Sequence, residues 1–226
     1  MSLLAVSSNA LSAQTCLGVS TTRVFRSSIG FGAAFANGAN GYYARFGADR
    51  GRVFGALVGG LVDADYSRTK AKVAGVDVGT TITLATARRM QLCPFVQGRY
   101  ERSDYRAESV AFQRTAPETL HETASILSMD VSGTAIRQSV LGGLSLSATF
   151  APSPKYALVP FAGVGLEYTS LKGSSSHNTA VVHAGVALGV GNAVSITPSV
   201  RTGAIGRNGE TDTSFGIRMT FGAIEP

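Results

Sequence analysis

"KYALVPFAGVGLEYTSLKG", residues 155–173, separates into two unlike rows when every second residue is read. Tyr156, Leu158, Pro160, Ala162, Val164, Leu166 and Tyr168 form an unbroken apolar row with a tyrosine at each end. Ala157, Val159, Phe161, Gly163, Gly165 and Glu167 form the other, which carries the glycines and a carboxylate. Side chains of a β-strand point alternately to opposite faces, so this strand has two faces in two different surroundings. In a water-soluble antiparallel sheet the large apolar row packs inward and the outer row carries Lys, Glu and Thr. The second row here is too small and too sparsely charged for that. Lipid against the apolar row, and a narrow lumen behind the small, polar row, accounts for both.

The same split recurs along the chain. Val140, Leu144, Leu146, Ala148 and Phe150 oppose Gly143, Ser145, Ser147 and Thr149; Phe215, Ile217, Met219 and Phe221 oppose Ser214, Gly216, Arg218 and Thr220. Period-two alternation predicts strands at about 24–36, 41–49, 51–65, 76–88, 91–103, 136–150, 156–170, 178–190, 193–205 and 212–222. Most are longer than the ~5–6 residues of globular strands and match the ~9–11 that cross a bilayer at a tilt. Tight turns at 49–51, 89–90, 151–155 and 191–192 alternate with longer links at 36–41, 66–75, 104–135, 172–178 and 206–211. Short turns at one end and longer loops at the other are the habit of outer-membrane barrels. The expectation is an all-β, closed antiparallel up-and-down transmembrane β-barrel of about ten strands, with eight as the alternative. It occupies 14–226 as one domain, with a surface loop at 104–135; within it 120–130 forms a short helix or extends the flanking strands, the alternative being a disordered surface loop.

The lumen row collects both signs of charge: Arg26, Arg45, Arg99, Arg201 and Arg218 with Asp63, Asp65, Glu101 and Glu167, and His183 among them. In a narrow barrel these form an ion-pair network, because an unpaired buried charge costs several kcal/mol. Such a filled lumen is structural rather than conducting. On the outer row Tyr156 and Tyr168 stand twelve residues apart, as do Phe54 and Tyr66. That interval spans roughly 30 Å along the normal of a tilted strand, close to the spacing of aromatic girdles. Pro94, Pro160 and Pro198 fall early in strands that leave short turns, where proline is tolerated.

Composition narrows the classes. Charged residues are 15% and glycines 27 of 226, far from the ~25% charged and ~7% Gly of soluble domains. No apolar run reaches the ~18 residues of a membrane helix. A net charge of +6 comes from scattered Lys and Arg without a basic stripe or any Trp, which argues against nucleic acid. Residues 1–13 read as a signal-peptide remnant or a flexible tail, since no Lys or Arg precedes Arg23. Cys16 and Cys93 are a candidate disulfide in an exported chain, the alternative being two unrelated buried thiols. Neither has a Cys or His nearby, so no metal site is expected. No cofactor motif is present. "GALVGG" (55–60) lacks the following helix of a phosphate loop.

With "VPFAGVGLEY", the Gly-rich alternation and a last strand "TSFGIRMTF" ending in Phe221, residues 24–222 resemble the small bacterial outer-membrane β-barrels of the OmpA-like and opacity-protein-like group. The resemblance implies residence in the Gram-negative outer membrane, a porin-like fold, and a C-terminal signal at Phe221 read by the barrel-assembly machinery. Here the chain continues with "GAIEP". The expected role is structural or surface-interacting and non-enzymatic, with the bilayer as partner and 104–135 as the surface for another. Two alternatives are a soluble or periplasmic lipocalin-like barrel holding a small apolar ligand, and a barrel-embedded lipid-modifying enzyme. His121 and His177, placed in loops, lack the G-x-S-x-G elbow of a hydrolase.

Overall fold

The computed structural model describes the backbone of residues 13–16, 19–22, 25–36, 39–50, 52–64, 69–84, 90–111, 127–153, 156–172, 176–190, 194–205 and 210–224, with side chains for most of these. Ten long strands carry the fold: β1 (Phe25–Ala36), β2 (Ala39–Arg50), β3 (Val53–Ala64), β4 (Thr69–Thr80), β5 (Met90–Ala111), β6 (Leu127–Ala148), β7 (Tyr156–Leu171), β8 (His177–Val190), β9 (Val194–Ile205) and β10 (Glu210–Ile224). Each pairs antiparallel with its sequence neighbours, and β10 pairs with β1, so the sheet closes. Closure removes the sheet edges that lipid cannot satisfy. No helix is found among the described residues, and none is long and apolar enough to cross a membrane.

The register fixes the barrel's shape. From Tyr156 the partners run through Val190, Val194, Phe221, Ile29 and Phe46. They continue through Leu57, Val76, Gly98 and Val140, and return to β7 at Tyr168. The stagger on closing is therefore twelve residues, from 156 to 168. Ten strands ~4.8 Å apart with that stagger tilt by about 40° and enclose a backbone radius of about 10 Å. That leaves room for side chains and little else.

Every large side chain on this walk faces outward. Tyr156 and Tyr168 are about half exposed, and Leu57 and Leu166 are 65% and 68% exposed, as lipid-facing residues are when no lipid is drawn. A water-filled surround for so many exposed Leu, Val, Ile and Phe side chains is excluded on transfer cost alone. The soluble lipocalin-like alternative fails here.

The strand expected at 76–88 instead covers 69–80. Lys70 and Lys72 fall within 66–75, the segment expected to be a link. They lie on the outer row near the rim, where Lys70 is cross-strand partner of Asp63 on one side and Asp104 on the other, a pairing of opposite charges. The links do not alternate in length as expected either. Only 37–38 and 65–68 separate the strands where longer loops were read, and 81–89 replaces the tight turn at 89–90. Within it Ile82–Thr83 folds back on Leu92 and Gln91. Of the expected 104–135 loop, residues 104–111 and 127–135 are strand, since β5 and β6 remain paired out to Ala111 and Leu127. Residues 112–126, with His121, lie outside the described residues, and His177 opens β8.

Each of the three strand prolines meets a gap in one ladder. The β4–β5 ladder stops at Phe95, the β6–β7 ladder starts at Phe161, and the β8–β9 ladder is interrupted between Ser199 and Ile196. A residue without an N–H costs nothing where no bond is due.

Candidate functional site

The lumen is built in two storeys. Towards the chain termini it is apolar: Phe54, Phe95, Phe161, Val159, Ala187 and Cys93 are all buried. The aromatic rings lie across glycines of adjacent strands. A Cβ at Gly185 would stand 2.6 Å from the Phe161 ring, and Gly79 and Gly143 give the same room to Phe54 and Phe95. The glycine content is therefore a packing requirement of a narrow lumen rather than a sign of looseness.

Phe54 corrects the girdle reading. It is 3% exposed, because Val53, Leu57 and Leu61 hold the outer row of β3. In "VFGALVGGLV" both rows are apolar, so period two marks a strand without saying which face is in. Tyr66 lies outside the described residues. Tyr156 and Tyr168 do face outward, joined there by Tyr42 and Tyr100, which sequence reasoning had not singled out.

Above the aromatic floor the lumen is charged. Arg45, 4% exposed, donates from Nε to Asp77 Oδ2 at 3.1 Å. Arg99 Nη2 lies 2.5 Å from Asp77 Oδ1, and its Nη1 donates to the Gly98 and Val76 carbonyls. Arg201 Nη2 donates to Glu167 Oε2 at 2.7 Å. Arg218 sits over the Tyr43 ring, 5.6 Å from its centroid, an arrangement that stabilises a guanidinium by about 1 kcal/mol. His183 packs edge-on to Phe95 at 5.6 Å and against Phe161 at 6.3 Å. Its ring uses the space left by Gly163.

The carboxylate at the centre, Asp77, was missed. With β4 beginning at 69, Asp77 falls between Gly75 and Gly79 on the small-residue row, which is the signal that identifies it. Asp63, expected in the lumen, has the parity of Leu57 and Leu61 and faces outward near the rim. Asp65 and the side chain of Arg26 lie outside the described residues. Glu101 is half-buried at the upper lumen beside Arg137 and Glu167. Cys93 is buried in the lumen wall, and the side chain of Cys16 lies outside the described residues. Phe221 is on the outer row, paired with Ile29 and Val194.

A cavity of about 300 Å³ remains between the aromatic floor and the charged storey, bordered by Arg45, Asp77, Arg99, His183, Arg201 and Arg218. A smaller one of about 170 Å³ lies nearer the upper mouth, lined by Glu101, Arg137, Ser139 and Glu167, and shares Arg99 with it. Among the described residues no cluster of His, Cys, Asp and Glu could hold a metal ion.

No protein-family model matches the sequence, and no curated protein matches it. Solved structures do. The β-domain of the Bordetella autotransporter BrkA superimposes with a TM-score of 0.52 at 14% identity, over 87% of this chain and 98% of that one. LpxR from Salmonella typhimurium gives 0.48 at 8% identity, over 87% and 100%. A bacterial polysaccharide outer membrane secretin gives 0.46 at 11% identity; this chain covers 57% of its length, and 82% of this chain is matched. The likeness to the BrkA β-domain is one of fold. A closed ten-stranded barrel with this exterior lies in a bilayer, and its fold is that of an outer-membrane β-barrel.

Proposed function

We propose that this chain is an outer-membrane barrel with a structural and surface-interaction role, which anchors and displays the β5–β6 hairpin and neither conducts nor catalyses. One observation carries this reading. β4 pairs with β5 only as far as Asp104, whereas β5 and β6 stay paired through Ala111 and Leu127. Seven more residue pairs, about 18 Å along the axis at a 40° tilt, continue past the neighbouring strand. A ribbon of that length is surplus to the barrel and offers a surface to a partner. The lumen network supports the rest of the reading, because Arg45 and Arg99, from two different strands, converge on Asp77 inside it. The aromatic row ending at Phe221 serves the barrel-assembly machinery in this proposal. Cys16 and Cys93 form a disulfide, a pairing favoured by the contact between the short strand Ala13–Cys16 and β5.

The test excises residues 105–133 and joins the Asp104–Thr134 pair, already linked by a 2.9 Å hydrogen bond, through an Asn-Gly turn. The shortened chain is expected to keep heat-modifiable gel migration, and neither form gives conductance steps in planar bilayers. Trypsin added to intact cells is expected to cut the full chain at Arg106 or Arg114. Stepwise conductance, or cleavage only after the membrane is permeabilised, overturns the proposal.

A further inference from the structure

The lumen cavity carries more positive charge than its walls neutralise. Among the described residues four arginines line it, Arg45, Arg99, Arg201 and Arg218, and a single carboxylate, Asp77. Glu167 neutralises Arg201 from outside the cavity at 2.7 Å. Leaving Arg218 to its own contacts, the three guanidinium groups of Arg45, Arg99 and Arg201 share two carboxylates, Asp77 and Glu167, so the described pairs leave a surplus of one. Arg45 is almost wholly buried, and with its Nε on Asp77 its Nη2 has no hydrogen-bond partner. His183 Nε2, also buried at the same cavity, has none either.

An unpaired guanidinium donor in a low-dielectric interior is costly, and uncompensated charge more so. Water satisfies a donor but leaves the surplus charge. A bound anion answers both. We propose that this cavity is a binding site for a small oxyanion, the carboxylate or phosphate group of a molecule that reaches it from the β5–β6 end of the barrel.

Three features set the chemistry. The lining cations are all arginines, whereas the described lysines, Lys70, Lys72 and Lys172, are exposed. The planar guanidinium fork matches the two oxygens of a carboxylate or phosphate, which a lysine does not. The volume, about 300 Å³, lies at the lower end of small-molecule sites, ~300–1,000 Å³, and is about ten times the ~30 Å³ of one water. Access is set by the walls. Phe54, Phe95 and Phe161 close the floor, and the smaller cavity at Glu101, Arg137 and Glu167 leads towards the upper mouth. There Glu101 and Glu167 face Arg99 and Arg137, so an anion meets a balanced vestibule before the basic chamber.

The test is thermal unfolding of the refolded full chain in detergent, with sodium phosphate or sodium succinate titrated against sodium chloride at equal ionic strength. Phosphate or succinate is expected to raise Tm saturably, by about 4 °C at a large excess over Kd, and chloride to leave it unchanged. The arm that responds says which oxyanion the site takes. Arg45→Met is expected to abolish the response. Since that variant strips Asp77 of one partner and could fail to fold, Ser199→Asp is made as well. Ser199 lines the cavity between the strands of His183 and Arg218, so the new carboxylate acts as a tethered occupant. It is expected to raise Tm in chloride and to remove the phosphate or succinate response. Arg102→Gln, on the outer wall, is expected to respond like the parent chain. The proposal is overturned if neither oxyanion shifts Tm beyond chloride, if Ser199→Asp still responds fully, or if Arg102→Gln also loses the response.

Discussion

The two storeys of the lumen solve one problem by different means. Both must fill a cylinder about 10 Å in radius with side chains that have little access to water. The floor does it with Phe54, Phe95 and Phe161 laid over glycines. The upper storey does it with arginines gathered around Asp77 and Glu167. Dispersion forces hold the floor, so each member can be weakened by degrees. The upper storey is held by charge, and removing one member strands the others. The same lumen is therefore tolerant at one end and brittle at the other.

The largest effect is expected at the point where brittleness concentrates. Asp77 joins Arg45 and Arg99, and its side chain is 3% exposed. Asp77→Asn keeps the shape and removes the charge, leaving one buried guanidinium group, Arg45, and one partly exposed, Arg99, opposed only to an amide. Breaking a buried pair by removing one partner costs about 3–5 kcal/mol. Urea unfolding of the barrel in phospholipid vesicles, followed by tryptophan-independent far-UV circular dichroism, is expected to show a loss of that size. A loss below about 1 kcal/mol would mean that the upper storey is as forgiving as a surface and would end the contrast.

The floor is expected to respond next, and in a graded way. Phe161→Ala removes a ring from a fully enclosed site and is expected to cost about 3 kcal/mol. Gly185→Ala pushes a methyl against the Pro198 carbonyl at 2.5 Å and into that ring at 2.6 Å and is expected to cost about 1–3 kcal/mol by overpacking. The double variant Gly185→Ala/Phe161→Leu sharpens the point. If the floor is a matter of volume, the smaller side chain makes room for the methyl and the double variant recovers part of the loss. Additive losses would instead show that the backbone contact with the Pro198 carbonyl, and not the ring, sets the cost at Gly185.

How far these storeys could be read in advance depends on contrast between the two rows of a strand. In β7 one row is Tyr, Leu, Pro, Ala, Val, Leu, Tyr and the other holds Gly and Glu, so direction is unambiguous. β3 has valine, leucine or phenylalanine on both rows, and Phe54 was turned outward by a spacing with Tyr66 that has no structural basis in its parity. β4 failed differently. Lysines at the rim look like loop residues because the sequence does not say where the bilayer ends, and the misplaced start hid Asp77. Arg45, Glu167, His183, Arg201 and Arg218 were legible because each interrupts a row of mostly small residues, and Arg99 because it follows Gln97 on the polar row of its strand. Which of them pair is set by a twelve-residue stagger that only closure determines.

The smallest effects come from the same chemistry at lesser depth. In Glu167–Arg201 the side chains are 12% and 42% exposed, and in Asp104–Arg102 they are 68% and 56% exposed at 3.6 Å. If depth rather than the mere presence of a pair governs the upper storey, Glu167→Gln should fall between its neighbours. Partial hydration of Arg201 screens the loss, so about 1 kcal/mol is expected for Glu167→Gln, and a few tenths for Asp104→Asn. Unfolding both variants with and without 0.5 M NaCl separates the causes. Salt reaches the rim pair and should erase the Asp104 effect, while the Glu167 effect shrinks only in part, because the lumen admits ions less freely than the rim. An Asp104→Asn loss as large as that of Asp77→Asn would show that the two are governed by something other than burial, and the upper storey would lose its claim to be a distinct, charge-held region.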